Sequence, residues 1–103
     1  MDIVNKLQDY VAQKLIEEIN DEYGSLPLKL LSKDGRNHVV SIGASVLMTK
    51  FPELGGYPGG SFVQAIVDND LMEAFGRADS INKLAIEFYL KLIVNFSVRD
   101  LQN

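Results

Sequence analysis

The sequence predicts a mainly α-helical fold, a compact bundle of four to five helices with a Gly/Pro-rich central loop. Three observations lead there. Apolar residues recur at helical spacing near the start and near the end of the chain. Between Tyr57 and Asn82, glycines and capping residues alternate with short apolar turns, the pattern of helices begun and ended in quick succession. Finally, 47% of the 103 residues are apolar and are spread over the whole length, so burial can offset ordering entropy within a single domain, 1–103.

From Asp2 to Glu22, Ile3, Leu7, Val11, Leu15 and Ile19 recur every four positions, with Val4 and Ile16 widening the stripe, which predicts an amphipathic helix. Gly24 can end it in the left-handed conformation. The carboxylates Glu17, Glu18, Asp21 and Glu22 crowd its C-terminal end, where the helix dipole disfavours negative charge. They are either a solvated helix end or a contact for a cationic partner, so Glu17, Glu18 and Asp21 are candidate binding residues.

Ser25 precedes Leu26 and Pro27 as an N-cap precedes a first turn, with Leu28, Leu30 and Leu31 facing a core before Asp34 and Gly35 stop the element. The same letters permit an α+β alternative, because Asp34-Gly35 between LPLKLLSK and RNHVVSI is a type I′ hairpin signal covering about 28–42. Helix is preferred over hairpin, since Val40, Ala44, Leu47 and Phe51 keep helical spacing beyond Asn37, a candidate cap, up to Pro52.

Pro52, Gly55, Gly56, Pro58, Gly59 and Gly60 make the next stretch a loop. Its glycines either permit turns with positive φ or let a ligand or another chain approach the backbone. No Lys-Ser/Thr ending and no preceding strand accompany them, as a phosphate-cradling loop or a dinucleotide fold would require. Tyr57, beside Pro58, is the aromatic residue best placed for an exposed contact, and with Gly59, Gly60 and Ser61 it forms a second candidate binding set.

Ser61 can cap a helix from Phe62 to about Val67 with Phe62, Ala65 and Ile66 inward; Asn69 or Asp70 caps the next, with Leu71, Ala74 and Phe75 inward. Asp79 or Ser80 starts the last long helix, on which Ile81, Leu84, Ala85, Phe88, Leu92 and Phe96 form one face. Tyr89, Leu90, Ile93 and Val94 make a second apolar face, as in a central helix or a subunit interface. These four are assigned to an oligomer interface, and a homo-oligomer is expected over a monomer.

No catalytic or metal-ligating set assembles. His38 is the sole histidine, and its neighbours Arg36, Asn37, Val39 and Val40 offer neither a reacting partner nor further ligands. Asp68, Asn69 and Asp70 resemble part of a calcium loop without its glycine or late glutamate, and capping explains Asp70 and Asp79. Ser61 is not in a G-x-S-x-G elbow, because Val63 stands where the second glycine belongs. No enzyme, cofactor or metal is expected. The formal charge of −4, with no basic block, argues against nucleic acid as a partner. MDIVNKLQDY reads as neither a secretory signal nor a membrane span, and the apolar run Phe88 to Val94 is broken by Lys91, so a cytoplasmic location in a host cell is expected, with no membrane contact.

Pro58-Gly59-Gly60-Ser61-Phe62, followed by Ala65, Asn69-Asp70-Leu71, Ala74, Ala78-Asp79 and Asn82, resembles a group of small bacteriophage and prophage proteins with a P-G-G/S-F…N-D-L…A…A-D-x-x-N pattern. The resemblance covers Pro58 to about Phe96; beyond Asn82 the chain departs from it, having Ile93-Val94-Asn95-Phe96 where a tyrosine-asparagine ending is usual. It implies a viral or prophage origin and action by binding. The expected function is a non-enzymatic interaction protein that binds a host or viral macromolecule, for instance as an inhibitor of a host system. A nucleotide-type small-molecule binder using the glycine loop is the alternative, and a virion assembly protein a further one.

Overall fold

The computed structural model describes residues 2–101. Along them run α1 (Ile3–Asn20), α2 (Leu26–Lys29), α3 (Lys33–Lys50), α4 (Ser61–Val67), α5 (Leu71–Arg77) and α6 (Ser80–Asn95), with 3₁₀ turns at Pro52–Leu54 and Val98–Leu101. No strand occurs among the described residues, so the mainly α reading holds and the hairpin alternative at 28–42 falls.

The hairpin signal fails because a cap outcompetes it. Ser32 Oγ accepts the Gly35 N–H at 3.1 Å, which places Asp34 and Gly35 inside the first turn of α3. Asp34 there also complements the positive end of the helix dipole. The helix therefore starts at Lys33, and Asn37, expected as its cap, lies within it.

The first helix begins as expected, with the Asp2 carboxylate accepting the Asn5 N–H at 2.9 Å, and it buries Leu7, Val11 and Leu15. Each such side chain contributes about 2 kcal/mol through removal from water. Its end differs from expectation. The chain leaves α1 through an extended Asp21, and Gly24 is needed for closeness instead of a left-handed turn: a Cβ there would lie 2.1 Å from the Glu18 carbonyl oxygen.

The centre of the bundle is α3, against which α1, α4 and α6 all pack. Helices α1 and α6 meet it at Gly43, where a Cβ would stand 2.6 Å from Val11 Cγ1 of α1 and 3.0 Å from Leu92 Cδ1 of α6. The C-terminal end of α6 is tied down by Phe96, whose ring sits 5.1 Å from that of Tyr10 and 5.2 Å from that of Phe51.

Between α4 and α5 the chain turns within three residues. Asn69 adopts φ 59°; its N–H donates to the Ile66 carbonyl at 3.1 Å, and the Asp70 N–H donates to the Ala65 carbonyl at 2.9 Å. This is a Schellman ending with asparagine in the left-handed position, and it hands the chain to Asp70, whose carboxylate accepts the Glu73 N–H to start α5. At the start of α4 the cap is Gly60, and Ser61, expected to cap, is the first helical residue with no side-chain cap bond.

Asp79 opens α6 by accepting the Asn82 N–H at 2.7 Å, and its second carboxylate oxygen meets His38 Nε2 of α3 at 2.9 Å. One carboxylate thus caps one helix and fastens it to another. The Asn82 amide above all holds the Asp79 carboxyl below the ordinary carboxylate range; burial opposes it, and His38 adds to the lowering. Because the folded value lies below the unfolded one, the stabilisation is fully present above about pH 4 and fades as pH falls through the depressed native value. Asp79→Ala is expected to cost about 1 kcal/mol at neutral pH, with the gap to the wild type narrowing toward pH 3 in thermal melts. A gap that stays constant down to pH 3 contradicts this role.

Candidate functional site

Tyr89 is assigned by sequence to an oligomer interface, and the structure corrects this. It is 0% exposed, its hydroxyl donates to Asn82 Oδ1 at 2.6 Å, and its ring stands 5.9 Å from that of Phe62. Burial pushes its phenol far above the ordinary range. The apolar second face of α6 is thus partly core. Leu90 and Ile93 are half-buried against that core, and only Val94, at 80% exposure, faces solvent fully.

The acidic end of α1 is brought into a cleft between α1 and α6, where Glu17, Glu18 and Asp21 meet Tyr10, Lys14 and Lys91 in a hollow of about 250 Å3. The chain itself answers much of this charge. Lys14 reaches Glu17 at 3.3 Å, and Lys91 of α6 reaches Glu18 at 3.1 Å; the Glu18 hydrogen bond raises the Lys91 ammonium above its usual range. Glu18 also accepts the Ser25 N–H at 3.4 Å, Asp21 accepts the Tyr23 N–H at 3.0 Å, and the Lys29 ammonium binds the Asp21 carbonyl. These carboxylates fix the turn after α1, and what seemed a misplaced cluster is in good part a C-terminal latch.

The glycine loop is likewise fastened. The Gly59 N–H donates to Thr49 Oγ1 at 2.7 Å, and a Cβ on Gly59 would lie 2.5 Å from Val63 Cβ, so this glycine exists to let the loop pack on α3 and α4. Gly55 supplies the positive φ of the loop, 79°. Gly60 has open space around it, Ser61 is exposed, and Tyr57 is 86% exposed. Tyr57 and Ser61 line neither the α1–α6 cleft nor the apolar hollows described next, so the two sets of candidate binding residues do not converge.

A broad apolar surface lies elsewhere, among residues expected in the core. Leu71 and Phe75 of α5, Leu84 of α6 and Leu30 after α2 are all exposed, Phe75 at 51% and Leu30 at 78%. They form two adjoining hollows that share Pro27 and Leu84. One is lined by Leu26, Pro27, Leu30, Leu31 and Leu84. The other, about 620 Å3, runs from Tyr23 and Pro27 across Leu84 and Leu90 to Leu71 and Phe75, bordered by Glu18, Lys83, Glu87 and Lys91. Tyr23, at 90% exposure, stands at its edge. A signal for this face was present in the sequence: four leucines in the six residues Leu26 to Leu31 radiate around a single helical turn, which cannot bury them all.

Among the described residues, no group of three or more histidine, cysteine, aspartate or glutamate side chains is placed to hold a metal ion, and no helix is long and apolar enough to cross a membrane. His38, its Nε2 engaged by Asp79, braces α3 against the start of α6. Comparison with known proteins returns no matching family, no matching curated protein and no matching solved structure.

Proposed function

We propose that the protein is a non-enzymatic interaction protein of phage or prophage type, which works in the cytoplasm of the host cell by binding a host or viral macromolecule through the α2–α5–α6 face. The observation that supports this reading is the face itself. Tyr23, Leu26, Leu30, Leu71, Phe75 and Leu84 are large apolar side chains left at the surface next to a well-filled core. Soluble monomers rarely expose a contiguous apolar patch beyond about 300–600 Å2, and larger ones rimmed by polar residues mark contact surfaces. A bound protein covering this face would meet aromatic and leucine anchors within a charged rim, the anatomy of a protein-binding site. Inhibition of a host system would follow from occupying the partner's own working surface.

The nucleotide alternative draws no comparable support, since the Gly59 amide is already bonded to Thr49 and no Lys or Arg lies between Phe51 and Arg77 to meet a phosphate. The test is recovery of a partner. Tagged wild type is expected to retain a bacterial or viral protein in constant proportion, and Phe75→Lys/Leu84→Lys is expected to lose it while melting normally, both side chains being substantially exposed. Equal recovery by both, or nothing beyond the protein itself, contradicts the reading.

A further inference from the structure

Resting on the reading of the α2–α5–α6 face as a protein-binding surface, we propose that its occupant is a second copy of this chain, seated face to face about a two-fold axis with each α5 against the other copy's α2–α6 hollow. Any host protein or further viral protein that binds through this face would then compete with that second copy.

Three features of the face lead to a copy of itself. The first is shape. Leu71 and Phe75 of α5, both exposed, wall a hollow that adjoins the one formed by Leu26, Pro27, Leu30 and Leu84, so exposed apolar side chains and apolar hollows that can receive them share one surface. An isologous contact requires a surface that fits its own copy, and this juxtaposition supplies one.

The second feature is charge. The chain carries −4 overall, which sets copies against each other in general, yet the charged side chains bordering this face balance, Glu18 and Glu87 against Lys83 and Lys91. A strongly basic or acidic partner calls for a rim of one sign; a copy of the same chain calls for a balanced rim.

The third is area. The six large apolar residues of the face, exposed at 40% to 90%, extend across two adjoining hollows, the spread of a protein interface of roughly 800 Å2 per partner. A small ligand would leave most of it in water.

The experiment uses the purified full chain. Sedimentation equilibrium from micromolar to sub-millimolar concentration is expected to give twice the chain mass of 11.5 kDa. Phe75→Lys/Leu84→Lys is expected to sediment as a monomer, whereas Val94→Lys, exposed but lining neither hollow, stays dimeric. The chain has no cysteine, so position can be read by oxidation: a one-to-one mixture of Phe75→Cys and Leu30→Cys is expected to form the mixed disulfide several-fold more than Val94→Cys mixed with either. A monomer at every concentration overturns the dimer, as does a dimer broken by Val94→Lys and spared by Phe75→Lys/Leu84→Lys, or mixed disulfide no greater than the Val94→Cys control. If the wild type is monomeric but only the lysine variant loses a recovered partner, the dimer is overturned and the binding reading stands. A dimer that recovers no partner supports the dimer and removes the wider reading.

Discussion

Replacing Tyr89 by alanine is expected to cost about 3–5 kcal/mol, the loss typical of a fully buried aromatic side chain. Tyr89 is completely enclosed, packs edge-on against Phe62, and supplies the hydrogen bond on which the nearly buried Asn82 amide depends. In a chain of this size each kcal/mol lowers the melting temperature by about 4–8 °C, so the midpoint should fall by at least about 12 °C. Tyr89→Phe separates the two contributions: the ring stays, the hydroxyl goes, and Asn82 Oδ1 is left without its partner at a cost of about 1–3 kcal/mol. Asn82→Leu in the Tyr89→Phe background should recover part of that cost, because both polar groups are then absent. A Tyr89 that served only as an interface residue would leave the melting temperature of the dilute protein unchanged in all three variants.

Gly43→Val is expected to destabilise by about 2–4 kcal/mol. Its Cβ would fall 2.6 Å from Val11 and 3.0 Å from Leu92, so α1 and α6 must both move away from α3, and overpacking of this kind typically costs about 1–3 kcal/mol or more. Replacing glycine within a helix favours the folded state by up to about 1 kcal/mol, and at Gly43 the steric term overwhelms it. Gly76 in α5 is the internal control. Nothing lies within 4 Å of a Cβ there, so Gly76→Ala should stabilise by a few tenths of a kcal/mol up to about 1. Chemical denaturation of both variants checks the contrast, and a neutral Gly43→Val would mean that the three helices do not converge there.

The elements that could be read from the letters are those whose ends carry their own chemistry. Asp70 and Asp79 each accept an amide three residues on, and the long apolar stripe Leu7, Val11, Leu15 lies inward because its spacing allows no other arrangement on a helix. The beginning of α3 was misplaced because Asp34-Gly35 carries a turn signal that is strong only if the flanking segments pair as strands; Ser32, one turn earlier, offers a cap that serves without any partner segment. The residues behind the phage-type resemblance turn out to have structural tasks: Gly59 packs the loop, Asn69 takes the left-handed position, Asp70 and Asp79 cap, Ala74 is buried, and Asn82 partners Tyr89.

The candidate surface was the least legible part. Helical spacing shows that Leu71, Phe75, Leu84 and Leu30 are apolar on one side of their elements, but not whether another element remains to cover that side. With α4 already supporting α5, and α3 taken up by α1, α4 and α6, none is left among the described residues. The acidic end of α1 was legible only in part: Lys91, distant in sequence, arrives from α6 to meet Glu18, and spacing along one helix carries no sign of it.

The central claim is that the α2–α5–α6 face, and neither the glycine loop nor the acidic end of α1, is where this protein meets another chain. Amide and methyl chemical-shift mapping during association tests it most directly. The account predicts that the largest changes fall on Leu26, Leu30, Leu71, Phe75 and Leu84; changes confined to Tyr57, Gly59, Gly60 and Ser61, or to Glu17, Glu18 and Asp21, with the apolar face unmoved, would contradict it.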